Sequence, residues 1–161
     1  LANVCKEWEK EAYKVKGDFT RVVTIRTGLV LGKEGALKRM ALPFKYYIGG
    51  PLGSGLQWFS WIHIQDLTAM LKYIIENPCL SGPVNAVSPK AVRMKDFYRI
   101  LGKVMNRPSW LPIPAFVLKL ALGQLSEMLL TGQRVLPDKI MKAGFKHRYP
   151  ELEEALENVS N

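Results

Sequence analysis

The sequence predicts an α/β unit followed by a mainly helical segment. Three observations carry that expectation. Arg21–Arg26 is β-branched and nearly continuous, strand and helix signals alternate through residue 106, and the texture changes to short helices after a Pro-rich stretch at 108–114. The Pro-rich stretch is the best internal boundary, dividing residues 1–106 from a small helical domain at 107–161. It is no flexible linker, because Trp110, Leu111 and Ile113 call for burial.

Each element has its own signal. Val4, Trp8, Ala12 and Val15 recur at helical spacing between Lys and Glu, so residues 3–16 read as an amphipathic helix that Gly17-Asp18 ends. Arg21–Arg26 suits a strand buried on both faces, as in a parallel sheet, with Gly28 and Gly32 bracketing its end. Residues 35–47 predict a helix with a break near Pro43. A Gly-rich loop, 49–55, leads into an extended segment at Gln57–Ile64. Asp66 then heads a helix with Leu67, Met70, Leu71, Ile74 and Ile75 on one face, and Asn77-Pro78 stops it. Residues 82–88 form a short strand. Residues 94–106 form a helix with Phe97, Ile100, Leu101, Val104 and Met105 inward. Short helices follow at about 114–122, 125–131, 137–143 and 150–158, with Pro137 at a first helical position and Gly144 just past a helix end.

Composition narrows the class. With 161 residues, 48% apolar and 23% charged, the chain is neither disordered nor a disulfide mini-protein. Cys5 and Cys79 make no framework, and with His63 and His147 they make no metal set, so no metal ligand is assigned. The simplest home is a reducing cytoplasm. No apolar run reaches the length needed to span a bilayer: Leu111–Leu130 is broken by Pro112, Pro114, Lys119, Gly123, Gln124 and Glu127. There is no signal peptide and no initiating Met. The opening residues look like the middle of a helix, so the chain is expected to be a piece of a longer protein.

The formal charge is +9. Residues 150–161 hold Glu151, Glu153, Glu154 and Glu157 and no base, so residues 1–149 carry 23 basic against 10 acidic residues, a net +13. A basic module for nucleic acid or an acidic protein is therefore the alternative function. The bases are scattered rather than clustered, which argues against specific nucleic-acid binding.

Several chemistries are excluded by motif. The chain has no Gly-x-Gly-x-x-Gly, no Walker A sequence and no Gly-x-Ser-x-Gly nucleophile elbow. Tyr-x-x-x-Lys is also absent: four residues after each tyrosine stand Gly17, Gly50, Pro51, Asn77, Gly102 and Glu153. No catalytic residue is assigned within this chain.

Two segments remain. Arg26-Thr-Gly-Leu-Val-Leu-Gly32 lies at the carboxyl end of the predicted strand, the end that faces the ligand crevice in open α/β sheets. Gly28 would let backbone approach a flat ring; a tight strand exit explains it equally well. Gly49–Asp66 interleaves aromatics with Gln57, Ser60 and His63 and offers stacking faces and polar handles. Trp61 and Ile62 suit an aromatic core strand. His63 suits a histidine that orders the next helix better than a general base, because no positioned partner is visible.

These motifs resemble the extended short-chain dehydrogenase/reductase superfamily. More narrowly, the chain is similar to an atypical NAD(P)-dependent epimerase-like branch, sometimes labelled cell-division inhibitors. The likeness rests on Trp8-Glu9, Arg-Thr-Gly-x-Val-Leu-Gly at 26–32, Leu-Pro-Phe at 42–44 and the long motif at 49–64. It extends through Gly-Pro-Val-Asn at 82–85, Arg107-Pro108, Pro112-x-Pro114, Gly-Gln-Arg-Val-Leu-Pro at 132–137 and Gly144-Phe145.

The resemblance implies that this chain is the C-terminal half of such a protein: the C-terminal part of a Rossmann-like parallel sheet plus a mainly helical substrate lobe. It implies that Arg26, Thr27, Gly28 and Leu29 lie near the nicotinamide of NADP or NAD in the full-length protein, and that Gln57, Trp58 and Arg134 face a small-molecule substrate. The Gly-rich loop and the catalytic tyrosine would lie in the missing half. The chain alone would then be inactive, would bind no cofactor, and would self-associate or pair with that half. Thr27 and Leu29 stand where sugar-nucleotide enzymes carry Pro and Asn, and Phe59 and Ser60 stand where they carry Arg and Asp. Without that Arg a diphosphate clamp is lost, which argues against a nucleotide sugar.

Overall fold

A computed structural model describes residues 2–15, 17, 19–114, 116–117, 120, 123 and 130–160. Its centre is an extended run, 23–31, that changes partners halfway. β1 (Val23–Thr27) pairs in parallel with β5 (Gly82–Ala86), Val23 opposite Gly82 and Thr27 opposite Ala86. β2 (Leu29–Leu31) pairs in parallel with β4 (Trp61–His63). The exchange falls on Gly28. Its N–H donates to the Ala86 carbonyl at 3.1 Å, and the next N–H, of Leu29, donates to the Ser60 carbonyl at 2.9 Å. β3 (Trp58–Phe59) makes a short antiparallel pair with β6 (Val92–Arg93).

Six described helices surround these strands: α1 (Ala2–Tyr13), α2 (Ala36–Lys45), α3 (Ile64–Glu76), α4 (Met94–Val104), α5 (Asp138–Lys142) and α6 (Leu152–Ser160). The α/β alternation through α4 is as the periodicity predicts. α2 ends at Lys45 with Pro43 inside its last turn, and Tyr47 follows in the left-handed region. α4 stops two residues before its predicted end, where Asn106 turns left-handed. Pro137 precedes α5 as its cap, one position earlier than expected. The predicted helices at 114–122 and 125–131 fall largely outside the described residues.

Two apolar cores result. One joins α2, α4 and α6 to the strands through Phe44, Phe59, Trp61, Phe97, Leu101 and Leu156. The other joins α3, β5 and α5 through Ile62, Met70, Ile74, Val84 and Ile140. β4 lies between them. Trp61 belongs to the first core and Ile62 to the second, as alternation along a strand requires, and all three β4 residues are buried.

Three expectations need correction. β1 is only half-buried, with Arg26 and Thr27 exposed: among the described residues it pairs on one edge only. On α3, Met70 and Ile74 are buried, but Leu71 is 40% and Ile75 74% exposed. A helix turns about 100° per residue, which swings these two onto its flank. Trp110 and Leu111 are exposed at 62% and 38%; Ile113 is the residue of that stretch that packs on the first core.

Candidate functional site

At the carboxyl end of the β1–β5 pair lies a cleft of about 320 Å³. One wall is the strand exchange, Arg26 to Leu29. Trp58, Phe59 and Ser60 form the second, and Asn85, Val87 and Met94 the third. Thr131 to Val135 cross it as a strap, and Met40 reaches in from α2. The walls are mainly apolar with a few polar groups, the usual constitution of a small-molecule site.

Two glycines make this arrangement possible. A Cβ on Gly28 would lie 2.7 Å from the Ser60 carbonyl oxygen and 2.9 Å from Val87 Cγ1. The bare Cα therefore serves the packing of β2 against residue 60. A Cβ on Gly132 would lie 1.9 Å from the Trp58 carbonyl oxygen, so the strap passes in contact with the β3 backbone. Ser60 secures the strap from below: its hydroxyl donates to the Gln133 carbonyl at 2.9 Å and accepts the Val135 N–H at 3.2 Å. Asn85 adds a bond from its amide to the Leu136 carbonyl at 3.1 Å.

The electrostatics divide the arginines around the cleft. Arg26 grips Glu9 of α1 with Nε and Nη2, each 2.7 Å from a carboxylate oxygen. This bond holds the Glu9 carboxyl below its ordinary pKa. Arg93 lies over the Trp58 ring with Cζ 3.7 Å from the centroid, and Arg134 Cζ lies 5.2 Å from the same centroid.

The structure thus gathers Arg26, Thr27, Gly28, Leu29 and Trp58 around one cleft. Arg134 stands above Trp58. Gln57 is placed in the preceding turn, where its amide donates to the Leu52 carbonyl at 3.0 Å. Sequence reasoning overlooked Arg93: only its register opposite Trp58 in the β3–β6 pair brings it there. It also overlooked Met40 and Met94, which line the cleft.

His63 and Asp66 lie outside this cleft. His63 is fully buried, and its Nδ1 accepts the Gln65 N–H at 3.1 Å, so it caps α3. The ring packs on Tyr149 at 4.0 Å. Burial holds its pKa below the ordinary value. Asp66, expected to head the helix, is its third residue. Its carboxylate instead accepts the N–H groups of Arg148 at 2.8 Å and Tyr149 at 2.9 Å, tying the segment before α6 to α3. Among the described residues no group of His, Cys, Asp and Glu could hold a metal ion, and no helix is long and apolar enough to cross a membrane.

Comparison with known proteins agrees with this architecture. Residues 113–159 match a domain of unknown function, DUF1731. The chain is 43% identical over 159 residues to epimerase family protein YfhF of Bacillus subtilis, covering 99% of this chain and 52% of that protein. It is 45% identical over 160 residues to the chloroplastic SDR39U1 homolog of Arabidopsis thaliana, an epimerase family protein, covering 99% of this chain and 46% of that one. It superposes with TM-score 0.93 and 38% identity on the human epimerase family protein SDR39U1, solved with NADPH, covering 98% of this chain and 54% of that chain. The chain spans about half the length of these relatives and aligns with their C-terminal part.

Proposed function

We propose that this chain, the counterpart of the C-terminal part of epimerase family proteins, is the substrate-holding half of an NAD(P)-dependent epimerase or oxidoreductase. The observation that carries this is the cleft. Thr27–Leu29, at the carboxyl end of a parallel strand pair, share it with Trp58 and the 131–135 strap. In open α/β sheets that end is where ligands sit. The apolar side chains of Leu29, Val87 and Met94, with Thr27 beside them, fit one face of a flat ring such as nicotinamide.

When bound, the nicotinamide supplies or accepts a hydride. This chain's residues exclude water and orient the reactant. They contain no phosphate-cradling Gly-rich loop and no Tyr-x-x-x-Lys pair, so both belong to a segment outside this chain. The proposed place for that segment is the side of α1 and β1. There Val4, Trp8, Val15 and Phe19 are exposed, and β1 pairs on one edge only among the described residues. Uncovered, these surfaces favour self-association.

Calorimetry tests the reading. The chain alone is expected to show no micromolar NADPH binding, while the intact protein binds it. Thr27→Trp in the intact protein fills the cleft and weakens NADPH by about ten-fold or more, with folding preserved because Thr27 is exposed. Micromolar binding by the chain alone, or indifference to Thr27→Trp, would overturn it.

A further inference from the structure

Two positive charges lie over the ring of Trp58, a residue of the cleft wall, and meet no carboxylate among the described residues. Arg93 is held opposite Trp58 by the β3–β6 ladder and gives one N–H to the Leu56 carbonyl. Arg134 projects from the strap and is exposed. Their Cζ atoms lie 3.7 and 5.2 Å from the Trp58 centroid, which puts the two cations within about 9 Å of each other, comparable to the screening length of about 8 Å at physiological salt. The electron-rich ring attracts each guanidinium while the two repel one another. An oxyanion bound beside them offsets that repulsion.

Arg26 is the contrast. Its fork is already closed on Glu9, so it is not available to a ligand in this arrangement. The arginines without a carboxylate partner are therefore the two over Trp58. The cleft that Trp58 lines is mainly apolar, with Met40, Met94, Val87 and Leu29 in its walls.

Resting on the function proposed for this cleft, we infer that it takes a small amphipathic anion. A single carboxylate or phosphate end is received by Arg93 and Arg134, and an apolar body lies against Met40 and Met94. Guanidinium groups suit either oxyanion, because their planar N–H fork matches both. Cation–π contact with the Trp58 ring holds both guanidinium groups beside the cleft that this ring lines.

The test uses the intact protein, titrated calorimetrically with phenyl phosphate, benzoate and uncharged benzamide. At least one anion is expected to bind about ten-fold tighter than benzamide, and the comparison of the two anions identifies the preferred oxyanion. Arg134→Gln is expected to weaken the anions by about ten-fold and leave benzamide unchanged. Arg93→Lys, which keeps the charge but not the flat fork, gives a smaller loss in the same direction. Lys72→Gln, an equal charge change on α3 outside the cleft, alters nothing.

Equal affinity for all three probes, absence of binding by any of them, or anion affinity that ignores both arginine variants overturns the inference. NADPH affinity is measured in parallel. Anion selectivity that follows the arginines, with NADPH indifferent to Thr27→Trp, removes the proposed cofactor role and leaves the anion site standing. The reverse pattern removes the anion site alone.

Discussion

Arg26 and Glu9 form a two-pronged ion pair, with Nε and Nη2 of the guanidinium each 2.7 Å from a carboxylate oxygen. This pair and a 3.2 Å contact between Tyr13 Oη and Thr24 Oγ1 are side-chain links from α1 to β1. α1 otherwise leaves Val4 and Trp8 exposed. Glu9→Gln breaks the charged link. In the isolated chain, backbone amide exchange over Ala2–Tyr13 is expected to accelerate, while α3 and α4 keep their protection. Unchanged exchange in α1 would show that the pair contributes no order.

Gly28→Ala directs a methyl group at the Ser60 carbonyl, where the available distance is 2.7 Å. Backbone on both sides must shift, so a loss of about 1–3 kcal/mol is expected from chemical denaturation. Gly35→Ala is the comparison. No atom lies within 4 Å of its would-be Cβ, and only its left-handed φ of +81° opposes the change.

Ser60→Ala removes the donor to Gln133 and the acceptor for Val135 at once. A cost of about 1–2 kcal/mol is expected. The Val135 amide should lose exchange protection more than core amides such as Leu101. Equal loss at both would mean that the strap is not held locally.

His63 makes stability depend on pH with a definite sign. Burial lowers its pKa in the folded protein, so the unfolded chain binds the proton more readily. Its contribution is complete above the unfolded value, about 6.5, and is lost as pH falls from there toward the folded value. Protonation also removes the Nδ1 acceptor that caps α3. His147, lowered by burial as well, adds in the same direction. Thermal midpoints from pH 8 to pH 5 should therefore fall in the wild type. His63→Asn, which retains a capping side chain, should show a shallower fall.

Much of this molecule was legible in the residue order because its signals are local. Helical spacing located α3 and α4, and the β-branched run located β1. Gly144 marked the end of α5, where it adopts φ +99°. The reading of His63 as a helix-ordering side chain needed only its position ahead of an apolar periodic stretch. The signals misled where the partner lies far along the chain. Asp66 looked like the head of a helix, yet its carboxylate serves Arg148 and Tyr149, more than eighty residues away. Gly28 suited a ring approach and a tight strand exit equally, and only the fold shows that a Cβ there would meet Ser60 and Val87.

Residue order alone therefore settled the alternation of strands and helices, the absence of a phosphate-loop motif from these residues and the segments that would line a crevice, since each depends on neighbours a few positions apart. Which side chains meet at that crevice was settled by packing. Trp58 faces Arg93 through a strand register and Arg134 through a strap pressed on β3. Arg26 is neutralised by a helix seventeen residues before it. Contacts of this kind arise when buried surface and backbone pairing bring distant segments together, and no local pattern encodes them.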